Sequence, residues 1–238
     1  MTLTAKEASR RTREICALAP IVPVLVIADL AHARPMAEAL VAGGLPALEV
    51  TLRTPVALDV IRAMAEVPGG VVGAGTLVTP EDVKAAVAAG AKFGVSPGAT
   101  DELLAACEAE GLPLLPGAAT ATEAMRLLAR GYDMMKFFPA EASGGAPALK
   151  AIGAPLPQIT FCPTGGVTPE NARSYLSLAN VACAGGSWVA PAALAAKGDW
   201  AGIEELARAA SQLPRAEPEF RGIPDVFLAG KRRGARSV

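Results

Sequence analysis

Short runs of apolar and β-branched residues alternate with helix-forming segments along almost the whole chain. Each run is about as long as a strand and is apolar at consecutive positions, a pattern typical of parallel strands that are covered on both faces. Eight strands are predicted in this way, at residues 21–27, 47–51, 71–74, 93–96, 113–116, 134–137, 158–163 and 182–185.

A helix is predicted after each strand, and a polar helix at residues 4–18 precedes the first strand. Threonine–proline pairs that begin at Thr54, Thr79 and Thr168 predict helix N-caps, and glycines such as Gly111 and Gly131 predict helix ends. The helices that follow the strands are predicted at residues 33–42, 55–67, 80–89, 101–110, 122–130, 146–152, 169–176 and 200–213.

Eight successive strand–helix units in about 200 residues predict an α/β fold, specifically a (β/α)8 TIM barrel with an N-terminal helix. We expect residues 1–213 to form this single domain and residues 214–238 to be a short C-terminal tail. A doubly wound open sheet is the alternative, but it would place a glycine-rich loop after its first strand. The segment that follows the first strand, ADLAHARP, has no glycine.

Composition restricts the expected partners and location. The longest apolar run, at residues 16–28, contains two prolines and is shorter than the ~20 residues that span a bilayer. The first 15 residues lack the apolar core of a secretory signal, so we expect a cytoplasmic protein with no membrane partner. The net charge of -1 argues against a nucleic-acid partner. Four basic residues between Lys231 and Arg236 are either a solvated end or an arm that binds anions or a partner.

The residues that commonly bind metals are scattered. Four cysteines lie far apart with no CxxC pair, which indicates neither a disulfide framework nor a zinc site. The single histidine, His32, lies at the start of a predicted helix, and the carboxylates are not clustered. We therefore expect no metal and no cofactor.

Lys136 stands inside the sixth predicted strand, between two methionines and two phenylalanines, and it is the only one of seven lysines predicted to lie within a strand. An amine becomes a nucleophile when it loses its proton, and apolar neighbours on its own face favour that loss. The sequence predicts either a nucleophilic lysine or an ion pair with Glu49 in the barrel core. The two are compatible, because a nearby acid can move protons for the amine, although an ionised Glu49 would favour the protonated form.

Glu49 interrupts the second predicted strand, and a buried carboxylate needs a partner. It is predicted to be a general acid and base, or else the ion-pair partner of Lys136 or Arg53. Arg53, at the exit of the same strand, carries the planar donor group that binds carboxylates and phosphates. A surface ion pair is the alternative for this arginine.

Glycine turns follow the seventh and eighth predicted strands, TGG at residues 164–166 and GGS at residues 185–187. Backbone N–H groups of such turns, with a helix N-terminus behind the first, form a cradle for an anion. Barrels commonly bind a phosphate at these two places. Turns that serve packing alone are the alternative.

Six motifs occur in order along the chain: LEVTLRT at residues 48–54, GAGT at 73–76, SPG at 96–98, KFFPAE at 136–141, FCPTGG at 161–166 and GGSW at 185–188. Over roughly residues 10–213 the chain resembles the bacterial 2-keto-3-deoxy-6-phosphogluconate (KDPG) aldolases, which also act on 4-hydroxy-2-oxoglutarate (KHG). The resemblance implies a homotrimeric class I aldolase of the Entner–Doudoroff pathway on a (β/α)8 barrel, without a metal. The tail beyond residue 213 departs from the family pattern.

The resemblance also implies roles for residues within these motifs. Lys136 would form a Schiff base with the keto carbon of a keto-acid phosphate, and Glu49 would move protons. Arg53 and Thr76 would hold the pyruvate carboxylate. The other implied substrate-binding residues, those that line the pocket or bind the phosphate, are Pro97, Phe138, Thr164, Gly165, Gly166, Gly186 and Ser187.

The expected reactions release pyruvate, together with glyceraldehyde 3-phosphate from KDPG or with glyoxylate from KHG. The galactonate epimer of KDPG stays open as a substrate. Two other functions are also open at this point. One is a sugar-phosphate isomerase or epimerase on a similar barrel, which would use paired acids and often a metal. The other is a non-catalytic sugar-phosphate-binding protein that uses the same pocket and the basic tail.

Overall fold

A computed structural model of the chain describes residues 2–216, so residue 1 and residues 217–238, which hold most of the predicted tail and its basic segment, lie outside the described residues. This part of the chain has nine short strands, and each of them except β5 is followed by a helix. The strands are β1 (Ile21–Leu25), β2 (Ala47–Thr51), β3 (Val71–Gly75), β4 (Phe93–Val95), β5 (Leu114–Leu115), β6 (Gly117–Ala118), β7 (Met134–Phe137), β8 (Thr160–Pro163) and β9 (Ala184–Gly186).

The first helix precedes the strands and begins with a capping box, in which the side chains of Thr4 and Glu7 each accept a backbone N–H of the other. A short 3-10 turn at Leu30–His32 leads into the second helix. The helices are α1 (Ala5–Cys16), α2 (Ala33–Ala42), α3 (Ala57–Ala65), α4 (Pro80–Ala88), α5 (Asp101–Glu110), α6 (Ala121–Arg130), α7 (Gly145–Gly153), α8 (Ala172–Leu176), α9 (Ala192–Ala196) and α10 (Trp200–Ser211).

The strand pairings within the described residues are all parallel. One sheet has the order β5-β4-β3-β2-β1-β9, and a second has the order β6-β7-β8. Along the chain, only Pro116 separates β5 at the edge of the first sheet from β6 at the edge of the second. Near the opposite edges, β8 and β9, isolated parallel bridges join Phe161 to Val181 and Thr164 to Gly185. The result is an α/β fold with a curled parallel sheet, which confirms the predicted class.

One of the three predicted threonine N-caps is confirmed and two are wrong. Thr79 caps α4 as predicted. The Thr54 hydroxyl instead donates to the carbonyl of Ile27 at 2.7 Å, and α3 begins beyond it. The Thr168 amide donates to the side chain of Asn171 at 2.8 Å, within a turn that delays the start of α8. At Thr54 this hydrogen bond of the hydroxyl takes the place of the cap, whereas at Thr168 the helix begins at Ala172 with Asn171 as its N-cap residue.

One strand was predicted at residues 113–116. The structure instead has two short strands here, β5 before Pro116 and β6 after it. A proline has no N–H to give to a neighbouring strand, so the ladder is interrupted there. Its carbonyl still accepts the Lys136 amide at 2.8 Å and so connects this segment to β7. The short helix α9 was not predicted.

A small apolar cluster fills the interior of the curled sheet, apart from the main core beneath the helices. We call it the interior cluster; its buried members are Cys16, Val22, Ala47, Phe93, Val95, Leu115, Met134, Cys162, Ala182 and Cys183. Side chains two positions apart on a strand share a face. Glu49 therefore points into the same interior as Ala47, and Lys136 into the same interior as Met134, one layer nearer the carboxyl ends of the strands.

The helices of residues 2–216 all fall short of the length and apolarity that crossing a bilayer requires.

Candidate active site

The two charged residues that interrupt predicted strands meet inside the sheet. Lys136 on β7 and Glu49 on β2 place the atoms Nζ and Oε1 3.2 Å apart. The two residues are 6% and 3% exposed, respectively. The predicted ion pair is therefore confirmed, and the amine has a carboxyl group within reach for proton transfer.

Glycine on β3 gives the Glu49 carboxyl its space. A Cβ atom added at Gly75 would lie 2.4 Å from Oε1 of Glu49, whereas one added at Gly73 would lie 2.5 Å from the ring of Phe93. A side chain at either position would therefore collide with a neighbouring side chain in the interior of the sheet. The one at position 75 leaves free the volume that the carboxyl occupies.

The apolar neighbours of Lys136 are divided between the two sides of β7. Met135 and Phe137 belong to the main core beneath the helices, while Met134 belongs to the interior cluster. The ring of Phe138 lies on the side of the amine, with its centroid 5.3 Å from Nζ. Of these four neighbours, two therefore share the face of Lys136, as the alternation of side chains along a strand requires.

Burial changes the acid strength of Glu49. Removal from water raises the pKa of its carboxyl above the ordinary value of 4.5, and the Lys136 ammonium opposes that rise. Such a carboxyl holds its proton to a higher pH than an exposed one does. It is therefore better suited to both donate and accept a proton, as a general acid and base must.

A cavity of about 290 Å³ opens at the carboxyl ends of the strands, with the Lys136–Glu49 pair in its wall. This is the end of a parallel α/β sheet at which ligands bind. The cavity brings together every predicted site residue except Gly186. The residues that line it are Val24, Glu49, Thr51, Arg53, Thr76, Pro97, Lys136, Phe138, Thr164, Gly165, Gly166, Val167, Gly185 and Ser187.

Four of these lining residues were not predicted as site residues: Val24, Thr51, Val167 and Gly185, the last of which was predicted only as part of the glycine turn at residues 185–187. Thr51 could have been found, because it lies two positions after Glu49 on the same strand and must share its face. The two valines carry no polar group, so the sequence does not distinguish them from residues of the core.

Arg53 lies two residues beyond the end of β2, in an exposed position on the cavity wall. Its Nε donates to the hydroxyl of Thr51 at 3.4 Å. The surface ion pair that was its alternative is not among the ion pairs formed by residues 2–216. The guanidinium thus lines the cavity, and no carboxylate of residues 2–216 is bound to it.

Thr76 has a strained backbone at the end of β3. Its φ is +63°, in the left-handed region that β-branched residues rarely adopt. This conformation costs a non-glycine residue about 1–2 kcal/mol. Strain of this kind is common where a side chain is held toward a ligand, and Thr76 lines the cavity.

The turn after β8 has the shape of an anion cradle. Gly165 and Gly166 have φ values of +99° and +77°, which glycine adopts at little cost. The helix predicted to start at residue 169 starts at Ala172 instead, so the cradle consists of the turn itself. Ser187, just after β9, completes this side of the cavity.

Gly186 lies on the other side of β9 from the cavity. Its neighbour Gly185 faces the cavity, so Gly186 points away. A Cβ atom added at Gly186 would lie 1.9 Å from the ring of Trp188, which shows why no side chain fits there.

Residues 2–216 contain no group of three or more His, Cys, Asp or Glu side chains that could hold a metal ion. His32 packs edge-on against Trp200, with the ring centroids 5.4 Å apart, and does not line the cavity.

A family model described as KDPG and KHG aldolase matches residues 12–206. The chain belongs to the KDPG and KHG aldolase family. The matched range contains every residue that lines the cavity, so the site described above lies wholly within the part of the chain that defines this aldolase family.

Named members of the aldolase family resemble the chain over nearly their full length. The chain is 54% identical over 200 residues to the 2-dehydro-3-deoxy-phosphogluconate aldolase of Pseudoalteromonas atlantica, which covers 84% of this chain and 93% of that protein.

Two solved structures of aldolases are similarly close. The KDPG aldolase of Zymomonas mobilis with 3-phosphoglycerate has a TM-score of 0.84 at 51% identity, over 87% of this chain and 98% of that one. The KDPG aldolase of Legionella pneumophila, with pyruvate captured at low pH as a covalent carbinolamine intermediate, has a TM-score of 0.81 at 48% identity, over 84% and 97% of the two chains.

Proposed function

We propose that this chain is a class I aldolase that forms a Schiff base on Lys136 and cleaves KDPG to pyruvate and glyceraldehyde 3-phosphate, and KHG to pyruvate and glyoxylate. The observation that carries the proposal is the buried contact of 3.2 Å between Lys136 Nζ and Glu49 Oε1 in the cavity wall. An amine in contact with an acid, largely shielded from water but open to a ligand, is what imine chemistry on a keto acid requires.

Imine formation uses both members of the pair. The neutral amine of Lys136 attacks the C2 ketone while protonated Glu49 gives its proton to the ketone oxygen, and a nitrogen proton then passes back to Glu49 to leave the neutral carbinolamine. Glu49 then donates a proton to the C2 hydroxyl, which leaves as water and gives a protonated imine. The positive nitrogen can now accept the electrons of the bond that breaks next.

Carbon–carbon cleavage uses the same acid. The C4 hydroxyl loses its proton to Glu49, or to a water that Glu49 positions, and the C3–C4 bond breaks as its electrons form an enamine. The aldehyde leaves, and C3 of the enamine takes up a proton. Water then hydrolyses the imine, which releases pyruvate and restores the amine of Lys136.

The remaining residues of the cavity suit the two ends of the substrate. Arg53 and Thr76 would bind the pyruvate carboxylate, because a guanidinium fork pairs well with a carboxylate. The N–H groups of the turn at residues 165–166 would bind the phosphate. The other proposed substrate-binding residues are Pro97, Phe138, Thr164 and Ser187; Gly186, predicted from the sequence, lies outside the cavity and is not among them.

The architecture in this proposal is a closed (β/α)8 barrel formed by residues 1–213 as one domain, followed by the tail at residues 214–238. Two features support closure of the barrel: the bridges of Phe161 to Val181 and Thr164 to Gly185, and the single residue between β5 and β6. We further propose a cytoplasmic homotrimer that acts in the Entner–Doudoroff pathway.

Reductive trapping tests the proposed function. Incubation with pyruvate and borohydride, followed by peptide mass mapping, should give an adduct on Lys136, and Lys136→Ala should lose both the adduct and cleavage of KDPG. Lys92→Ala is the matched control, because Lys92 is exposed and lies before β4, away from the cavity. No adduct, an adduct on another lysine, or full cleavage by Lys136→Ala would each refute the proposal.

The same measurement separates the competing functions. A sugar-phosphate isomerase or epimerase, or a non-catalytic binding protein, would give no trapped adduct. Among the residues that line the cavity Glu49 is the single carboxylate, which favours an aldolase over an isomerase that needs paired acids.

A further inference from the structure

Glu141 lies directly against the proposed phosphate-binding turn at residues 164–166. Its amide donates to the carbonyl of Gly165 at 3.0 Å, and the Ala140 amide donates to the carbonyl of Thr164 at 2.8 Å. A Cβ atom added at Gly166 would lie 2.7 Å from Cβ and from Cγ of Glu141. The turn therefore packs on the Glu141 side chain, and glycine at position 166 permits this contact.

Tyr175 on α8 holds the Glu141 carboxylate from the other side. The Tyr175 hydroxyl donates to Oε1 of Glu141, and the tyrosine is fully buried. Burial, together with this carboxylate, raises the pKa of Tyr175, so the hydroxyl stays protonated and remains a donor. Just before α8, the side-chain amide of Asn171 donates to the carbonyl of Gly166 at 2.9 Å. The turn is thus contacted by the segment that follows β7 on one side and by Asn171, just before α8, on the other.

The hydrogen bond from Tyr175 has an electrostatic consequence for the turn. A free carboxylate beside it would repel a phosphate and compete for the same backbone N–H groups. Because Tyr175 binds Glu141, the carboxylate is directed toward α8 and the N–H groups stay available to a ligand. Neither residue is among the described residues that line the cavity, so both act through the turn.

We propose that Glu141 and Tyr175 are positioning residues that hold the turn at residues 164–166 in the shape that binds a phosphate, and that they thereby set the preference for phosphorylated over unphosphorylated keto acids. This inference rests on the aldolase function proposed above. KDPG carries a phosphate that the turn would bind, whereas KHG carries none. The two substrates therefore separate the effect of the Glu141–Tyr175 pair from the chemistry at Lys136.

The first test compares Tyr175→Phe with Tyr132→Phe. Tyr132 is a matched control, because it too is fully buried and donates to a carboxylate, that of Glu108 at 3.3 Å, but it lies before β7 at the opposite end from the cavity. We expect Tyr175→Phe to lower kcat/KM for KDPG at least about tenfold more than for KHG, mainly through KM. Tyr132→Phe should leave the ratio of the two kcat/KM values as in the wild type.

A second pair of variants tests the carboxylate. Glu141→Gln keeps the shape of the side chain and an oxygen that can accept from Tyr175, whereas Glu141→Ala removes both. We expect the ratio of kcat/KM for KDPG to that for KHG to fall in Glu141→Ala and to be largely restored in Glu141→Gln. Equal loss on both substrates would mean that the pair serves folding alone, and would overturn the inference.

Binding measurements make the result independent of turnover. Calorimetry with 3-phosphoglycerate should show an affinity about tenfold weaker in Tyr175→Phe and unchanged in Tyr132→Phe. If the wild type binds this ligand but neither cleaves KDPG nor traps pyruvate on Lys136, the proposed function fails, and the affinities still decide the present inference. Wild-type affinity in Tyr175→Phe, or no binding by the wild type, would overturn it.

Discussion

Replacement of Gly75 by alanine should separate the Lys136–Glu49 pair without changing either residue. The added methyl group would lie 2.4 Å from Oε1 and 2.7 Å from Cγ of Glu49, where ordinary contact begins at 3.4 Å. The carboxyl must therefore move by about 1 Å. Its contact with Lys136 Nζ, now 3.2 Å, then exceeds the range of a hydrogen bond.

The expected loss of activity follows from this displacement. Misplacement of a reacting group by about 1 Å costs roughly 100-fold in rate, and complete loss of general acid–base catalysis costs up to roughly 10⁴-fold. We therefore expect kcat of Gly75→Ala on KDPG to fall between these two limits. The assay is pyruvate release, coupled to lactate dehydrogenase. Urea unfolding should show a loss of about 1–3 kcal/mol from overpacking.

Gly73→Ala is the matched control on the same strand. Its methyl group would lie 2.5 Å from the ring of Phe93, so it overpacks the interior to a similar degree while Glu49 stays in place. We expect a comparable loss of stability, with kcat within about tenfold of the wild type because no reacting group moves. Equal losses of kcat in Gly73→Ala and Gly75→Ala, or wild-type kcat in Gly75→Ala, would refute the reasoning.

Three further predictions concern strain, the phosphate turn and alkaline pH. Thr76→Gly should raise the free energy of unfolding by about 1 kcal/mol, because glycine tolerates the φ of +63°, and should raise KM through loss of the hydroxyl. Gly166→Ala should raise KM for KDPG far more than for KHG, because its methyl group displaces Glu141, whereas Gly98→Ala, with no atom within 4 Å of the added carbon, should change neither. Burial raises the pKa of the Cys107 thiol from 9.0 to about 12. The folded protein thus keeps a proton that the unfolded chain loses, so stability falls as the pH rises from 9 to 12, and Cys107→Ala should fall less steeply.

Each of these three has a clear contrary outcome. A lower urea midpoint for Thr76→Gly would show that the left-handed conformation is not a strain on threonine. Equal changes of KM for both substrates in Gly166→Ala would remove the connection between Glu141 and the phosphate. Parallel curves of stability against pH for Cys107→Ala and the wild type would show that the thiol does not contribute to alkaline unfolding.

The central pair of the site was predictable because both residues violate the apolar pattern of their strands. Lys136 and Glu49 are charges where neighbouring strand positions are apolar, and two buried opposite charges in one small domain have strong reason to meet. Thr51 was missed, although alternate residues of a strand share a face and Thr51 is two positions after Glu49. Glu141 and Tyr175 could not be paired from the sequence, because their hydrogen bond crosses two elements that no periodic pattern relates.

The alternation of strands and helices predicted the α/β class and most of the elements, because apolar runs and helix-forming segments report on burial. One error lies where a long-range hydrogen bond takes the place of a local one. Thr54 was expected to cap a helix and instead binds the carbonyl of Ile27, a partner 27 residues away in the sequence. The fifth strand is divided at Pro116 because proline has no N–H to donate. The sequence shows the proline, but whether its missing N–H interrupts the strand depends on the neighbouring strands.

The amine and the acid of the site are 87 residues apart in the sequence and belong to different sheets, β7 to the three-stranded one and β2 to the six-stranded one. Neither sheet contains a complete pair by itself. A state in which only one of the two sheets has formed would therefore lack the Lys136–Glu49 contact and be inactive. Recovery of turnover during refolding would report the stage at which both sheets are in place.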